Sequence, residues 1–196
     1  MLDNTALLKA ALKMDQGALI AIFDQYALDI YKYLYTLCND PVVSDEIVGD
    51  VFSELLEQCA TGPESIINLR IFLYQVAYRR VVEYNITGQD RKRSKTNAKI
   101  LIPITQSPAL SDEENKQIGA LLVAINSHLN DIQRHVMILR FLEGFSLKET
   151  AVIVGKSVSS VKVAQNRALA RLQKILWPDL ENEGPAMLMS SDAPEG

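Results

Sequence analysis

The residues of this 196-residue chain best suited to chemistry are hydroxyls, amides and cations in its last quarter. Ser159, Ser160, Lys162, Val163, Asn166 and Arg167 fall on one face of an expected helix, and Ser157 stands at its start as a cap. Short hydroxyls followed by Lys, Asn and Arg suit a helix whose N-terminal part enters a DNA major groove. A second set is Arg70, Tyr74, Tyr78, Arg79 and Arg80. Cations interleaved with rings are what a single-strand surface uses, because cations neutralise phosphates and rings stack on exposed bases. A third set, Asp45, Glu46, Asp50 and Glu54, forms the outer face of an amphipathic helix. That face is either solvated or a dock for a basic partner, and the pattern alone favours the solvated reading.

Catalytic and metal chemistry find little support. His128 and His135 lie outside any H-x-x-x-H or E-x-x-H spacing, and no G-x-S-x-G or Gly-rich phosphate loop occurs. Both histidines read as surface or hydrogen-bonded core residues. Cys38 and Cys59 form no C-x-x-C and have no neighbouring His, so neither zinc nor a disulfide scaffold is expected. The expectation is a protein without catalytic residues or cofactor. No apolar run approaches the ~18 residues of a membrane span, and no signal peptide is evident, so a cytoplasmic location is expected.

The elements that position these sets are helical. FSLKETAVIVGKSVSSVKVAQNRALARL, residues 145–172, reads as two helices around a turn. Ser146 and Glu149 make a capping box, Gly155 takes the turn, and Val161 closes the core beneath. Val158, Val161, Ala164, Ala168, Leu169, Leu172, Ile175 and Leu176 recur at helical spacing as the second helix's buried stripe. Upstream, the pattern predicts a helix over 2–14, a second from a cap at Asp15 to about Cys38, and a break at Asn39-Asp40-Pro41. A third runs from a cap at Ser44 to about Cys59, with Val48, Val51, Phe52, Leu55 and Leu56 inward. A fourth follows a cap at Asn68 and ends near Ile86. Ser111 with Glu114 opens another helix to about His128. Asn130 or Asp131 opens the next, to Leu142, with Phe141 available for packing and Gly144 as its C-terminal cap.

Charge divides the chain. Residues 1–68 carry net −8, 69–100 net +6, 101–131 net −3, 132–177 net +6 and 178–196 net −5. Two basic blocks separated by acidic ones suggest two phosphate-facing surfaces. The expected class is all-α: a helical domain over 1–87, a flexible linker over 88–111, a helix-turn-helix domain over 112–177, and an acidic, disordered tail over 178–196.

Together these pieces resemble the bacterial sigma factors of RNA polymerase, in the extracytoplasmic-function (ECF) group. ALIAIFDQYALDIYKYL, DEIVGDVFSELLEQ and LRIFLYQVAYRRVVEY are similar to that family's region two. The stretch LNDIQRHVMILRFLEGFSLKETAVIVGKSVSSVKVAQNRALARLQKIL is similar to region four. Gly49 stands where the family often has Gln, Asn130 where Pro is common, and Val163 where Ser is frequent. The resemblance implies that the first set reads a −35 promoter element and the second holds a melted −10 element. It implies that Asp45, Glu46, Asp50 and Glu54 dock on core RNA polymerase. It further implies an anti-sigma factor partner. A different reading of the C-terminal half alone is a helix-turn-helix regulator that binds duplex DNA as a dimer without polymerase.

Overall fold

The computed structural model describes residues 4–61, 66–87 and 111–177. Every regular element among them is helical. The order is α1 (Asn4–Ala11), α2 (Gln16–Cys38), α3 (Pro41–Thr61), α4 (Leu69–Thr87), α5 (Asp112–His128), α6 (Asp131–Met137), a π-helical turn (Ile138–Leu142), α7 (Leu147–Val154) and α8 (Val158–Leu176). None of the described helices is long and apolar enough to cross a membrane. The expected linker and tail lie outside the described residues, apart from Ser111.

Local chemistry sets the boundaries. Asp15 caps α2 by accepting from the Ala18 amide at 2.8 Å, and Asn39 ends it in the left-handed region at φ 52°. The start of α3 differs from the expectation. The helix begins at Pro41, with Asp40 Oδ1 accepting from the Val42 and Val43 amides. Proline suits a first helical position because the amide it lacks would have no partner there. Ser44 is therefore not a cap: it is buried inside the first turns, donating back to the Asp40 carbonyl at 2.7 Å. Asn68 caps α4 through the Ile71 amide at 3.0 Å. Ser111, Asn130 and Ser146 each form a complete capping box, with Glu114, Gln133 and Glu149 respectively. Asn130 thus does for α6 what a proline would do by other means.

Helices α1–α4 form one lobe and α5–α8 the other. The first is held by Ile22, Ile30, Leu34, Val51, Leu55, Leu73, Ala77 and Val81. The second is held by Val136, Ile138, Leu139, Val154, Val161, Ala168 and Leu172. The lobes are not separate in space: α4 lies along α7, and one continuous apolar core runs through both. The packing is direct because each lobe contributes aromatic side chains to the shared boundary.

Several packing expectations change. Phe141 is exposed, because the π-helical turn inserts an extra residue and rotates it outward. Leu56, Val158, Leu169 and Ile175 are also exposed. On α8 the buried stripe narrows to Val161, Ala168 and Leu172, since α5, α6 and α7 cover only one side of that helix.

Candidate nucleic-acid interface

The α7–α8 corner places the first residue set. Gly155 adopts φ 63°, a conformation that costs a residue with a Cβ about 1–2 kcal/mol, and its amide bonds the Ala151 and Val152 carbonyls. Two residues on, the Ser157 hydroxyl accepts from the Ser160 amide at 3.2 Å and lies within 3.0 Å of both the Ser159 and Ser160 hydroxyls. Ser159, Ser160, Lys162, Val163, Asn166 and Arg167 are all exposed. Val161 between them is buried, which fixes the helix's rotation and turns the polar face outward. A groove of about 520 Å³ runs beside this face, lined by Asn130, Gln133, Lys156, Ser160, Val163 and Arg167. Exposed hydroxyls and amides at the front of a helix, with Lys156, Lys162 and Arg167 around them, offer donors and acceptors to base edges and positive charge to phosphates. Lys156 was not among the expected contacts. Its place in the turn, just before the cap, was the available signal.

The second set divides. Arg79 and Arg80 both pair with Glu54 of α3, and Arg80 also reaches Glu83 at 3.6 Å. The Glu54 side chain is thereby 15% exposed, so it is a clasp between α3 and α4 as well as part of the acidic face. Such partly exposed pairs contribute about 1 kcal/mol or less. Arg70, Tyr74 and Tyr78 instead meet the second lobe. The Arg70 guanidinium sits 4.0 Å over the Phe145 ring and donates to the Glu143 carbonyl oxygen. The Tyr74 hydroxyl donates to Glu143 Oε2, and its ring meets Phe145 edge-on with centroids 4.8 Å apart. That ring contact adds roughly 1 kcal/mol beyond the area it buries. Tyr78 packs its edge against the His135 ring at 4.7 Å. Tyr74 is only 1% exposed and cannot stack on a base in this arrangement.

Burial shifts the titration of the groups at this boundary. Burial lowers the His135 pKa to about 3, helped by nearby Arg134 and opposed by Asp131. Of the two expected readings, surface or hydrogen-bonded core, His135 takes the second, as a neutral residue. Burial raises the Glu143 carboxyl above its ordinary value, against the Tyr74 hydrogen bond that lowers it. Tyr74 in turn is raised by burial and by that same carboxylate. Sequence patterning missed Glu143 because it lies in the connection after the π-helical turn, outside every periodic segment.

The third set remains on the surface. Asp45, Glu46 and Asp50 are exposed on α3, with Glu54 drawn inward. Beside them, exposed Phe23 lies 4.8 Å from the Phe52 ring, and Leu56 follows Phe52 one turn along the same face. An apolar strip rimmed by carboxylates can dock a partner helix that carries apolar and basic groups.

Comparison with known proteins places this geometry. Residues 127–174 match the model "Sigma-70, region 4". The chain is 27% identical over 159 residues to the ECF RNA polymerase sigma factor BldN of Streptomyces coelicolor, covering 81% of this chain and 60% of BldN. It is 26% identical over 163 residues to the ECF RNA polymerase sigma factor SigX of Bacillus subtilis, covering 78% of this chain and 80% of SigX. Among solved structures, the fold resembles CnrH in complex with the cytosolic domain of CnrY, at TM-score 0.60 and 19% identity over 90% of this chain and 98% of that one. It also resembles the sigma factor RpoE of Bartonella quintana in complex with the anti-sigma factor NepR, at TM-score 0.62 and 20% identity over 80% and 95%.

Proposed function

The chain belongs to the extracytoplasmic-function group of bacterial sigma factors, and from that premise we propose that it directs core RNA polymerase to promoters. The observation that carries this reading is the exposed face of α8 within the segment similar to region four. Ser159, Ser160, Lys162, Val163, Asn166 and Arg167 meet the edges and phosphates of a duplex −35 element, with Lys156 on the flanking backbone. Arg79 and Arg80 face the −10 element as it opens, whereas Arg70, Tyr74 and Tyr78 are engaged with Glu143, Phe145 and His135 in this arrangement and do not reach it there. Unstacking costs on the order of a few kcal/mol per extruded base, and capture of that base offsets it. Asp45, Glu46 and Asp50, with Phe23 and Leu56, dock on core polymerase.

The chain supplies no catalytic group in this scheme; nucleotide addition belongs to the polymerase. It acts in the cytoplasm, where its template lies. An anti-sigma factor covers the docking faces and holds the protein inactive, as the partner in the NepR complex of a related fold suggests.

Purified protein mixed with core polymerase tests the reading. Co-elution and discrete transcription start sites, each preceded by shared −35 and −10 sequences, are expected. A palindromic footprint made by the protein alone, with no association with core enzyme, would replace this reading with that of a dimeric regulator.

A further inference from the structure

The outward face of α8 has an apolar crest. Val163 stands nine residues before Leu172, about two and a half helical turns, so the two side chains leave the axis in opposite directions. Leu172 is 3% exposed and Val163 is 47% exposed. Val163 thus marks the line of α8 furthest from the core. Ala170, about two turns on along the same line, is exposed as well. Polar side chains flank this crest. Ser159 and Asn166 lie on one side, Ser160 and Arg167 on the other, and all four are exposed. Val163 also lines the groove beside α8, whose polar walls include Asn130, Gln133, Lys156, Ser160 and Arg167. Among these neighbours Val163 has no side-chain atom that can donate or accept a hydrogen bond.

A helix seated in the major groove turns its crest to the base edges and its flanks to the two backbones. Of the groups a base pair presents there, the thymine C5-methyl is the one that gains from an apolar neighbour. A donor or acceptor pressed against Val163 would lose its water and receive no partner in exchange. We propose, resting on the promoter reading above, that Val163 is a specificity-determining residue: it packs on a thymine methyl and so demands an A·T or T·A pair at one fixed position of the duplex element. The side chain suits that task. A β-branched residue in a helix holds one strongly preferred χ1, so its two methyls present a fixed shape and lose little freedom on contact. Ala170 carries a single methyl, which leaves room for α8 to lie close to the bases. Ser159, Ser160 and Asn166 bond the neighbouring edges and set the register in which the methyl contact is made.

Deoxyuridine tests this, because it lacks the C5-methyl and keeps every donor and acceptor of thymine. The full chain with core polymerase first selects duplexes from a randomised pool. Each thymine of the enriched element is then replaced singly by deoxyuridine. At one thymine, affinity is expected to fall about fourfold, the worth of one buried methyl. In the Val163→Ser chain the same replacement is expected to leave affinity unchanged, and in the Val163→Ile chain the penalty is expected to persist. An enriched element in which no thymine is sensitive to the replacement overturns the assignment and leaves the promoter reading intact. An undiminished penalty in Val163→Ser overturns it too, since another residue then reads the methyl. Enrichment of no duplex at all removes the promoter reading, and the thymine contact falls with it. The deoxyuridine scan uses the unaltered chain, so it decides the matter even if a variant folds poorly.

Discussion

The Tyr33 hydroxyl of α2 lies 2.8 Å from Nδ1 of His135 in α6, joining residues 102 positions apart in the chain. Both side chains are buried, and the Tyr78 edge closes the other side of the imidazole. A neutral His135 fits this setting and an imidazolium does not, because burial and Arg134 both disfavour the charge.

Acid is therefore expected to weaken the fold through His135. Its pKa falls from 6.5 to about 3 on folding. Between those values the unfolded chain binds the extra proton, so stability is lost as pH drops through that window. Glu143 acts with the opposite sign: its raised pKa gives stability that is lost as pH rises past the ordinary carboxyl range. His135→Gln keeps an acceptor for Tyr33 and removes only the first effect. Urea unfolding at pH 7 and pH 4.5 should show a smaller acid loss for the variant, by on the order of a few kcal/mol. An identical loss in both proteins would reject the assignment.

Gly155→Ala places a Cβ on a left-handed residue. No atom lies within 4 Å of that Cβ, so the cost is conformational alone. A destabilisation of about 1–2 kcal/mol is expected, read as a lowered Tm of the helix-turn-helix. Because α8 changes its approach when this turn shifts, duplex binding should weaken as well.

Gly49→Gln should do the reverse. Gly49 sits inside α3, on its exposed side, with open space around it. Glycine within a helix costs roughly 0.5–1 kcal/mol, and the substitution should recover about that much in denaturant unfolding. If the new amide also contacts polymerase, core affinity rises in parallel, which a titration of labelled protein would reveal.

Arg167→Ala is expected to lower promoter affinity and to reduce the slope of log K against log salt by about one. Asp45→Lys with Asp50→Lys should weaken core polymerase binding, most at low salt, where surface charges are least screened. Glu54→Gln should behave differently. It releases Arg79 and Arg80 and loosens α3 from α4, so its main readout is stability, with a loss of about 1 kcal/mol.

Much of this was legible from residue spacing. Caps at Asp15, Asn68, Ser111, Ser146 and Ser157 are local chemistry, decided within three or four residues, and all five hold, while the choice between Asn130 and Asp131 falls to Asn130. The outward face of α8 follows the same logic, since a buried Val161 fixes the rotation of its neighbours. Contacts across the lobes were not legible. Tyr74 has the spacing of a surface residue on α4 and is buried by Phe145, which is 71 positions away. Ser44 looked like a cap because Asp40 and Pro41 had been read only as a break. Phe141 had the right period for the core, but a π-helical turn abolishes the period.

That turn has a wider consequence. Its hydrogen bonds run from the Glu143 amide back to the Ile138 carbonyl, and the Phe145 amide returns to Leu139. Removing one residue between 138 and 142 would restore ordinary winding and swing everything downstream by about 100°. Glu143 and Phe145 would leave Arg70 and Tyr74 behind while every capping sequence stayed intact. A lineage could thus release or restore the grip between its two halves by gaining or losing a single codon.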